Sequence, residues 1–251
     1  MKILRVKDIH KIYNLYTDHE FEALKGINFE VEEGEFIVVM GPSGSGKSTF
    51  INNISTIDLP TSGLVYINDT EVRTMSGNEL GKFRYDNLGF IFQDFNLLDT
   101  HTLYENIAMP LSLSKVNVKE IDLRVHRIAV QMNIESFLNK FPYECSGGQR
   151  QRAAICRALI NDPKIIIADE PTGNLDSKNS LELMNILNEM NQTGVTIIMV
   201  THDPLIASYS SRLIYIEDGE IVQELKREKL TQKEYYSLIM NSNKDKTIEL
   251  L

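Results

Sequence analysis

The eight residues Gly41-Pro42-Ser43-Gly44-Ser45-Gly46-Lys47-Ser48 have the types and order needed to hold a triphosphate. Such a ligand carries several negative charges, and glycines let consecutive backbone N–H groups converge on it where a Cβ would collide. A continuous apolar run, Phe36 to Met40, precedes the loop, and a helix from about Lys47 to Ile54 is expected after it. That helix start adds about half a positive charge at the same place. In this pattern Lys47 reaches the β- and γ-phosphates, Ser48 ligates Mg²⁺, and Thr49 completes the cradle. A second apolar run, Ile165-Ile166-Ile167-Ala168, ends in Asp169 and Glu170. Ligands of open α/β sheets sit at the carboxyl ends of strands, so both acids are expected to face the phosphate loop. Asp169 then holds Mg²⁺ through water, and Glu170 polarises an attacking water as general base. Taken alone, the pair could instead cap a helix before Pro171.

These groups need a scaffold, and the chain supplies alternating strands and helices. Ile27, Phe29 and Val31 alternate with Asn28, Glu30 and Glu32, the period of a half-buried strand, before Gly34 turns the chain. The opening residues Met1 to Arg5 also alternate. A short strand, Leu64 to Ile67, follows the turn from Pro60 to Gly63, and Ser76 with Glu79 has capping-box spacing. From Asn96 to Ile160 strand signals vanish, and Ile121, Val125, Ile128 and Met132 recur at helical spacing. Ser177 to Met190 reads as a helix, Val195 to Val200 as a strand, and Asp218-Gly219 as a hairpin turn. The expected fold is α/β, a P-loop NTPase core whose mostly parallel sheet has helices on both faces. An antiparallel β-layer comes before the core, and a helical subdomain, residues 94–160, is inserted within it. The core covers residues 1–225. The polar tail, 226–251, is a docking helix or frayed, and the sequence leaves both open.

Composition narrows the function classes. The 251 residues are 42% hydrophobic and 24% charged, with a formal net charge of −9, so no general attraction to nucleic acid or anionic lipid is expected. The apolar runs are strand-length, far below the roughly 20 residues of a membrane span, and no signal peptide is read at the start. The protein is expected in the cytosol unless something holds it to a membrane. Cys145 and Cys156 form no disulfide framework or zinc pattern and read as small packed thiols. His10, His19, His101 and His126 read as surface or satisfied polar groups.

Cys145-Ser146-Gly147-Gly148-Gln149, followed by Arg150-Gln151-Arg152, resembles the signature motif of the ABC ATPases, with Asp169 standing 20 residues after Gln149. Ser146 with its two glycines opens a second anion-binding helix start. The resemblance implies that this turn closes over the γ-phosphate held by another copy of the chain. Family members usually carry leucine at the position of Cys145, which is expected to pack rather than touch phosphate. Gln93 resembles the glutamine that senses Mg²⁺ and the catalytic water. Asn174-Leu175-Asp176 resembles the loop that crosses the dimer, although many members have Ser-Ala in this segment; Asp176 is kept. His202 resembles the switch histidine at the γ-phosphate, and Tyr13 the aromatic residue that stacks on adenine. Tyr16 lies close by, and either ring could instead be core.

The implied catalytic set is Glu170, His202, Gln93 and Lys47; the implied metal set is Ser48, Gln93 and Asp169; the implied cofactors are ATP and Mg²⁺. The chain has no heptad-bearing arm, a single ATPase domain and no basic stripe, so the DNA-repair and translation-factor branches and a nucleic-acid partner are set aside. Several stretches resemble the ATPases of the macrolide-export and lipoprotein-release group. Asn96-Leu97-Leu98-Asp99-Thr100 and Ala207-Ser208-Tyr209 are similar to the bacitracin-type peptide-resistance transporters of Gram-positive bacteria. This implies an ATP-dependent head-to-tail dimer on the inner face of the cell membrane, bound to an integral membrane permease and, through it, to a sensor kinase. A regulatory ATPase of cell-division type and a lipoprotein-release or macrolide-export ATPase stay open as alternatives.

Overall fold

The computed structural model describes residues 1–249, with side chains through Ser242. β1 (Lys2–Tyr13) and β2 (Phe21–Glu32) pair antiparallel. Ile27, Phe29 and Val31 are buried and their neighbours exposed, as the alternation requires. In β1 the alternation fails: Ile3 and Leu4 are both buried. The register against β2 shifts between Lys2 and Leu4, an irregularity that turns two successive side chains inward.

β3 (Phe36–Met40) starts a second sheet, and α1 (Lys47–Ile54) follows the phosphate loop. The chain then returns to the first sheet through β4 (Ser62–Ile67) and β5 (Thr70–Glu71). The first sheet has the order β2-β1-β4-β5, so the antiparallel layer is interleaved with the core and does not simply come before it. Apolar alternation marks a strand but not its partner, which is why the return of β4 is not visible locally. α2 (Gly77–Asn87) opens on its capping box, where the Ser76 N–H donates to Glu79 Oε2 at 2.8 Å. β6 (Leu88–Phe92) follows it.

The helical block is α3 (Leu103–Leu113), α4 (Val118–Gln131) and α5 (Gly147–Leu159), and α4 buries Ile121, Val125 and Ile128 at the expected spacing. Strand–helix alternation then resumes with β7 (Ile165–Asp169), α6 (Ser177–Gln192), β8 (Thr196–Val200), α7 (Pro204–Ala207), β9 (Arg212–Glu217) and β10 (Glu220–Lys226). The second sheet has the order β10-β9-β3-β8-β7-β6, and all pairs but β9–β10 are parallel.

Its faces explain the continuous apolar runs. Ile37, Val39, Ile165, Ile167, Ile198 and Val200 join one core with the antiparallel sheet and α1. Val38, Met40, Ile166, Ala168, Ile197 and Met199 join the other, under the helices. Both sides of each central strand are covered, so both are almost wholly apolar.

Asp218 (φ +46°) and Gly219 (φ +84°) both take the left-handed backbone of a tight hairpin. The Gly219 N–H donates to Ser45 O at 3.0 Å, and Gly219 O accepts from the Lys25 N–H at 2.9 Å. This turn ties the phosphate loop to the first sheet.

In the tail, α8 (Gln232–Glu249) is a helix whose Tyr235 is fully buried in the helical-side core, the hydroxyl donating to Leu225 O at 3.0 Å. Burial pushes that phenol up to about 12. The last two residues of the tail lie outside the described residues. Among the described residues no helix is long and apolar enough to cross a membrane.

Candidate functional site

Parallel register brings four loops to one edge. Val39 pairs with Val200, Val200 with Asp169, and Asp169 with Phe92. The segments leaving these strands, at Gly41, Thr201, Glu170 and Gln93, therefore emerge side by side at the carboxyl edge, where open α/β sheets hold ligands.

The phosphate loop can close there only because of its glycines. A Cβ on Gly41 would stand 2.0 Å from Ile216 O, and one on Gly46 (φ +100°) 2.6 Å from Ala23 O. Gly46 is the residue before the first turn of α1, so the loop delivers the free N–H groups of that turn to the edge. Lys47 Nζ donates to Pro42 O at 2.7 Å, which folds its ammonium back over the loop. Burial holds the Lys47 pKa below the ordinary lysine value, and Glu170 and Asp169 oppose that shift. Pro42, Ser43 and Gly44 are exposed, whereas the Ser45 hydroxyl is buried without a partner.

Burial and the neighbouring Glu170 raise the Asp169 pKa above the usual carboxylate range, with Lys47 pulling the other way. Glu170 has a left-handed backbone (φ +44°), and its N–H donates to Val200 O at 3.1 Å, across the strand end. That turn aims its side chain at His202, whose Nδ1 lies 3.4 Å from Glu170 Oε1. His202 is exposed, and Asp203 behind it caps α7 by accepting from the Leu205 N–H at 2.8 Å. A cavity of about 270 Å³ is lined by Glu170, Thr201 and His202 together with Gly173 and Leu175. It has ample room for water beside a carboxylate and an imidazole.

Two carboxylates facing one lysine leave negative charge that a divalent cation would balance. Among the described residues no group of three His, Cys, Asp or Glu side chains could hold a metal unaided. Asp169 ends β7 beside the end of β6, from which Gln93 leads off, and the Ser48 hydroxyl lies in the first turn of α1. This small, hard-oxygen set fits Mg²⁺, which keeps several waters and takes its other ligands from phosphate.

The raised Asp169 pKa has a signed consequence. A carboxyl group more easily protonated in the folded state favours folding below the ordinary carboxylate pKa. That contribution is lost as pH rises through the folded value, so ionised Asp169 destabilises the free protein near neutrality. Asp169→Asn is expected to melt at a higher temperature than the parent at pH 7 without nucleotide, with the difference shrinking toward about pH 4. Thermal melts at the two pH values check this; a lower melting point at pH 7 would contradict the sign.

Gln93 is exposed at the end of β6, and Asn174 holds its backbone: Asn174 Nδ2 donates to Gln93 O at 3.1 Å and to Asp94 Oδ1 at 2.9 Å. Sequence reasoning assigned Asn174 only to a loop; an exposed asparagine carries no mark of the carbonyl it grips.

Ser146 opens α5 with a reciprocal cap, its N–H donating to Gln149 Oε1 at 2.9 Å and its Oγ accepting from the Gln149 N–H at 3.3 Å. Gly148 lies against Asn179, whose N–H donates to Asp176 Oδ1 at 2.8 Å. Gln151, not singled out in the sequence, donates from Nε2 to Pro171 O at 2.9 Å, its partner a main-chain group. Ser146 to Gln149 thus sit beside the Asp176 segment. Among the described residues no hydrogen bond or ion pair joins them to residues 41–49.

Tyr13 ends β1 and is 36% exposed, its hydroxyl donating to Asp58 Oδ2 at 3.1 Å and Lys11 Nζ lying 5.1 Å from its ring centroid. Tyr16 is 92% exposed, so neither ring is core. Cys156 is buried, and Cys145 is partly buried against the helical-side core, where burial raises its thiol pKa.

Comparison with known proteins places this geometry. The family described as ABC transporter matches residues 24–173. The ABC transporter ATP-binding protein YxdL of Bacillus subtilis is 50% identical over 238 residues, covering 94% of this chain and 92% of that protein. The bacitracin export ATP-binding protein BceA of Halalkalibacterium halodurans is 45% identical over 243 residues, covering 96% of each. The macrolide export ATP-binding/permease protein MacB of Campylobacter jejuni is 41% identical over 214 residues, 85% of this chain but 33% of that longer protein. Among solved structures, the dimeric post-hydrolysis state of the ATP-binding cassette MJ0796 bound to ADP and Pi superposes with a TM-score of 0.83. It is 41% identical and covers 89% of this chain and 98% of that one. With the match spanning the phosphate loop, the signature turn and the paired acids, the chain belongs to the ABC transporter family, as one of its ATP-binding and ATP-hydrolysing subunits.

Proposed function

We propose that two copies of this chain close head to tail around two ATP molecules on the cytoplasmic face of a membrane permease, and that the cycle serves resistance to peptide antibiotics of the bacitracin type. One observation carries the two-copy reading: among the described residues, the capped Ser146–Gln149 turn is bonded to none of its own phosphate-loop residues. Its free N–H groups suit an anion that its own chain does not bring to it. The dimeric MJ0796 cassette is a precedent in the family. The names of BceA and MacB support export of an antibiotic, and that of MacB joins an ATP-binding part to a permease.

In this reading Tyr13 stacks on adenine, and the loop from Gly41 to Thr49 wraps the phosphates with Lys47 on the β- and γ-groups. Ser48, Gln93 and Asp169 would hold Mg²⁺, which when bound neutralises phosphate charge. Ser146, Gly147, Gly148 and Gln149 of one copy cover the γ-phosphate held by the other, with Asp176 lining the same seam. Neutralising triphosphate charge across the interface favours closure, and cleavage removes that advantage and reopens the pair. Glu170 takes a proton from the attacking water, and His202 steadies the γ-phosphate. A sensor kinase reached through the permease would complete the assembly.

Affinity purification of the tagged chain from membranes tests the reading. A many-helix permease is expected to co-purify, and deletion of the gene is expected to raise bacitracin susceptibility. Recovery of a cell-division component with unchanged susceptibility would replace transport by the regulatory alternative.

A further inference from the structure

The His202 ring has no clamp of its own. Among the described residues its one polar neighbour is Glu170, 3.4 Å away, so its place is set by the main chain on either side. On one side Thr201 is buried and fixed to the core sheet, its N–H donating to Val39 O at 3.3 Å. On the other side stands Asp203, whose N–H donates back to Thr201 Oγ1 at 3.1 Å and whose carboxylate caps α7. α7 is a single turn, four residues from Pro204 to Ala207. One turn fixes several dihedral angles for about one hydrogen bond and does not persist by itself. Its support comes from α8. Gln232 Nε2 donates to Ser208 Oγ at 3.1 Å, and that hydroxyl donates to Leu205 O at 2.6 Å, inside the turn. Ile206 and Ala207 are buried in the same core as Tyr235 and Ile239 of α8.

α8 is itself anchored at three points. The Thr231 N–H donates to Glu234 Oε2 at 2.8 Å, a cap that fixes the helix start where Gln232 stands. The Tyr235 hydroxyl on Leu225 O ties the first turn to β10, and Ser242 Oγ donates to Gln223 Oε1 at 2.6 Å farther along. Contact therefore runs from β10 through α8 to Ser208 and Leu205, and ends at the segment that carries the histidine. We infer that α8 is a brace for the hydrolytic step, and that Gln232 and Tyr235 are positioning residues that hold His202 at the γ-phosphate. They act through α7 and not on the nucleotide. The polar tail is thereby part of the hydrolytic apparatus. The inference rests on the role given to His202 above.

The test compares steady-state turnover and ATP affinity in the full chain, at a temperature where each variant is folded by circular dichroism. Gln232→Ala is expected to lower kcat by about three- to tenfold, the effect of losing one uncharged hydrogen bond, and to leave KM and the affinity for a fluorescent ATP analogue within about twofold. Tyr235→Phe keeps the buried ring and loses only the hydroxyl, and is expected to show the same split. A structural role alone would lower the melting temperature and leave kcat of the folded chain intact. In a His202→Ala chain, whose residual turnover is read by release of radiolabelled phosphate, Gln232→Ala is expected to cause no further loss, because the group it positions is gone. Unchanged kcat with His202 present, an equal loss with His202 absent, or a matching change in KM overturns the inference. If Gln232→Ala does not fold, Tyr235→Phe decides by the same measurements. If His202→Ala alone turns over like the parent, the role given to His202 fails and the inference falls with it; α8 is intact in that variant, so the two failures are told apart.

Discussion

Glu170→Gln is expected to stop turnover while leaving ATP bound. The substitution keeps the size of the side chain and its hydrogen-bonding reach, and removes only the ability to accept a proton. A positioned general base contributes about 100- to 10,000-fold, so the rate of phosphate release should fall by at least about 100-fold. The backbone supports the assignment: Glu170 is held with φ +44° beyond the end of β7, and its carboxylate is turned to within 3.4 Å of His202. A non-glycine residue in that region is costly, and such strain is often kept where a side chain must point at reacting atoms. With hydrolysis blocked, the ATP-closed dimer should accumulate and be seen as a doubling of mass in light scattering. Steady-state turnover equal to that of the parent would place the base elsewhere.

Lys47→Ala is expected to do the opposite and weaken binding itself. The ammonium is bonded back to Pro42 O at 2.7 Å, so it is already in the loop before any ligand arrives. Charge-assisted contacts to phosphate are among the strongest a side chain makes, and losing one that spans two phosphates should reduce ATP affinity on the order of 100-fold. The same variant should show no ATP-induced dimer, and combining it with Glu170→Gln should give the Lys47→Ala behaviour. Titration with a fluorescent ATP analogue checks this; an affinity equal to that of the parent would remove Lys47 from the triphosphate.

How much of this was legible follows from which interactions are local. Phe36 to Met40, Ile165 to Ala168 and Val195 to Val200 announce themselves because a strand covered on both faces is almost wholly apolar; Thr196 is tolerated because its Oγ1 accepts from the Gly34 N–H at 3.0 Å. The phosphate loop is legible for a related reason, since only glycine fits where Ile216 O and Ala23 O approach. The helical block and the cap at Ser76 follow from periodicity and spacing. The return of β4 to the first sheet and the double burial of Ile3 and Leu4 are pairing events, decided by strands far apart in the chain. Arg157 shows the deepest limit. An arginine on a helix reads as a solvated face, and nothing near it reveals that its partners are the carbonyls of Phe95 and Asn96. Asn174 and Gln151 escape for the same reason, because their partners are main-chain groups that every residue has.

The turn at Gly219 bears on how a newly made copy becomes competent. Its N–H supports Ser45 and its carbonyl supports Lys25, yet it follows Ser45 by 219 − 45 = 174 residues in the chain. During synthesis the amino-terminal portion emerges first and begins to fold as it is released. A nascent chain can therefore carry the entire Gly41–Ser48 motif outside the ribosome and still lack the brace that shapes it. Ripening of the nucleotide cradle waits for β9 and β10, so an unfinished product is a poor competitor for cellular ATP.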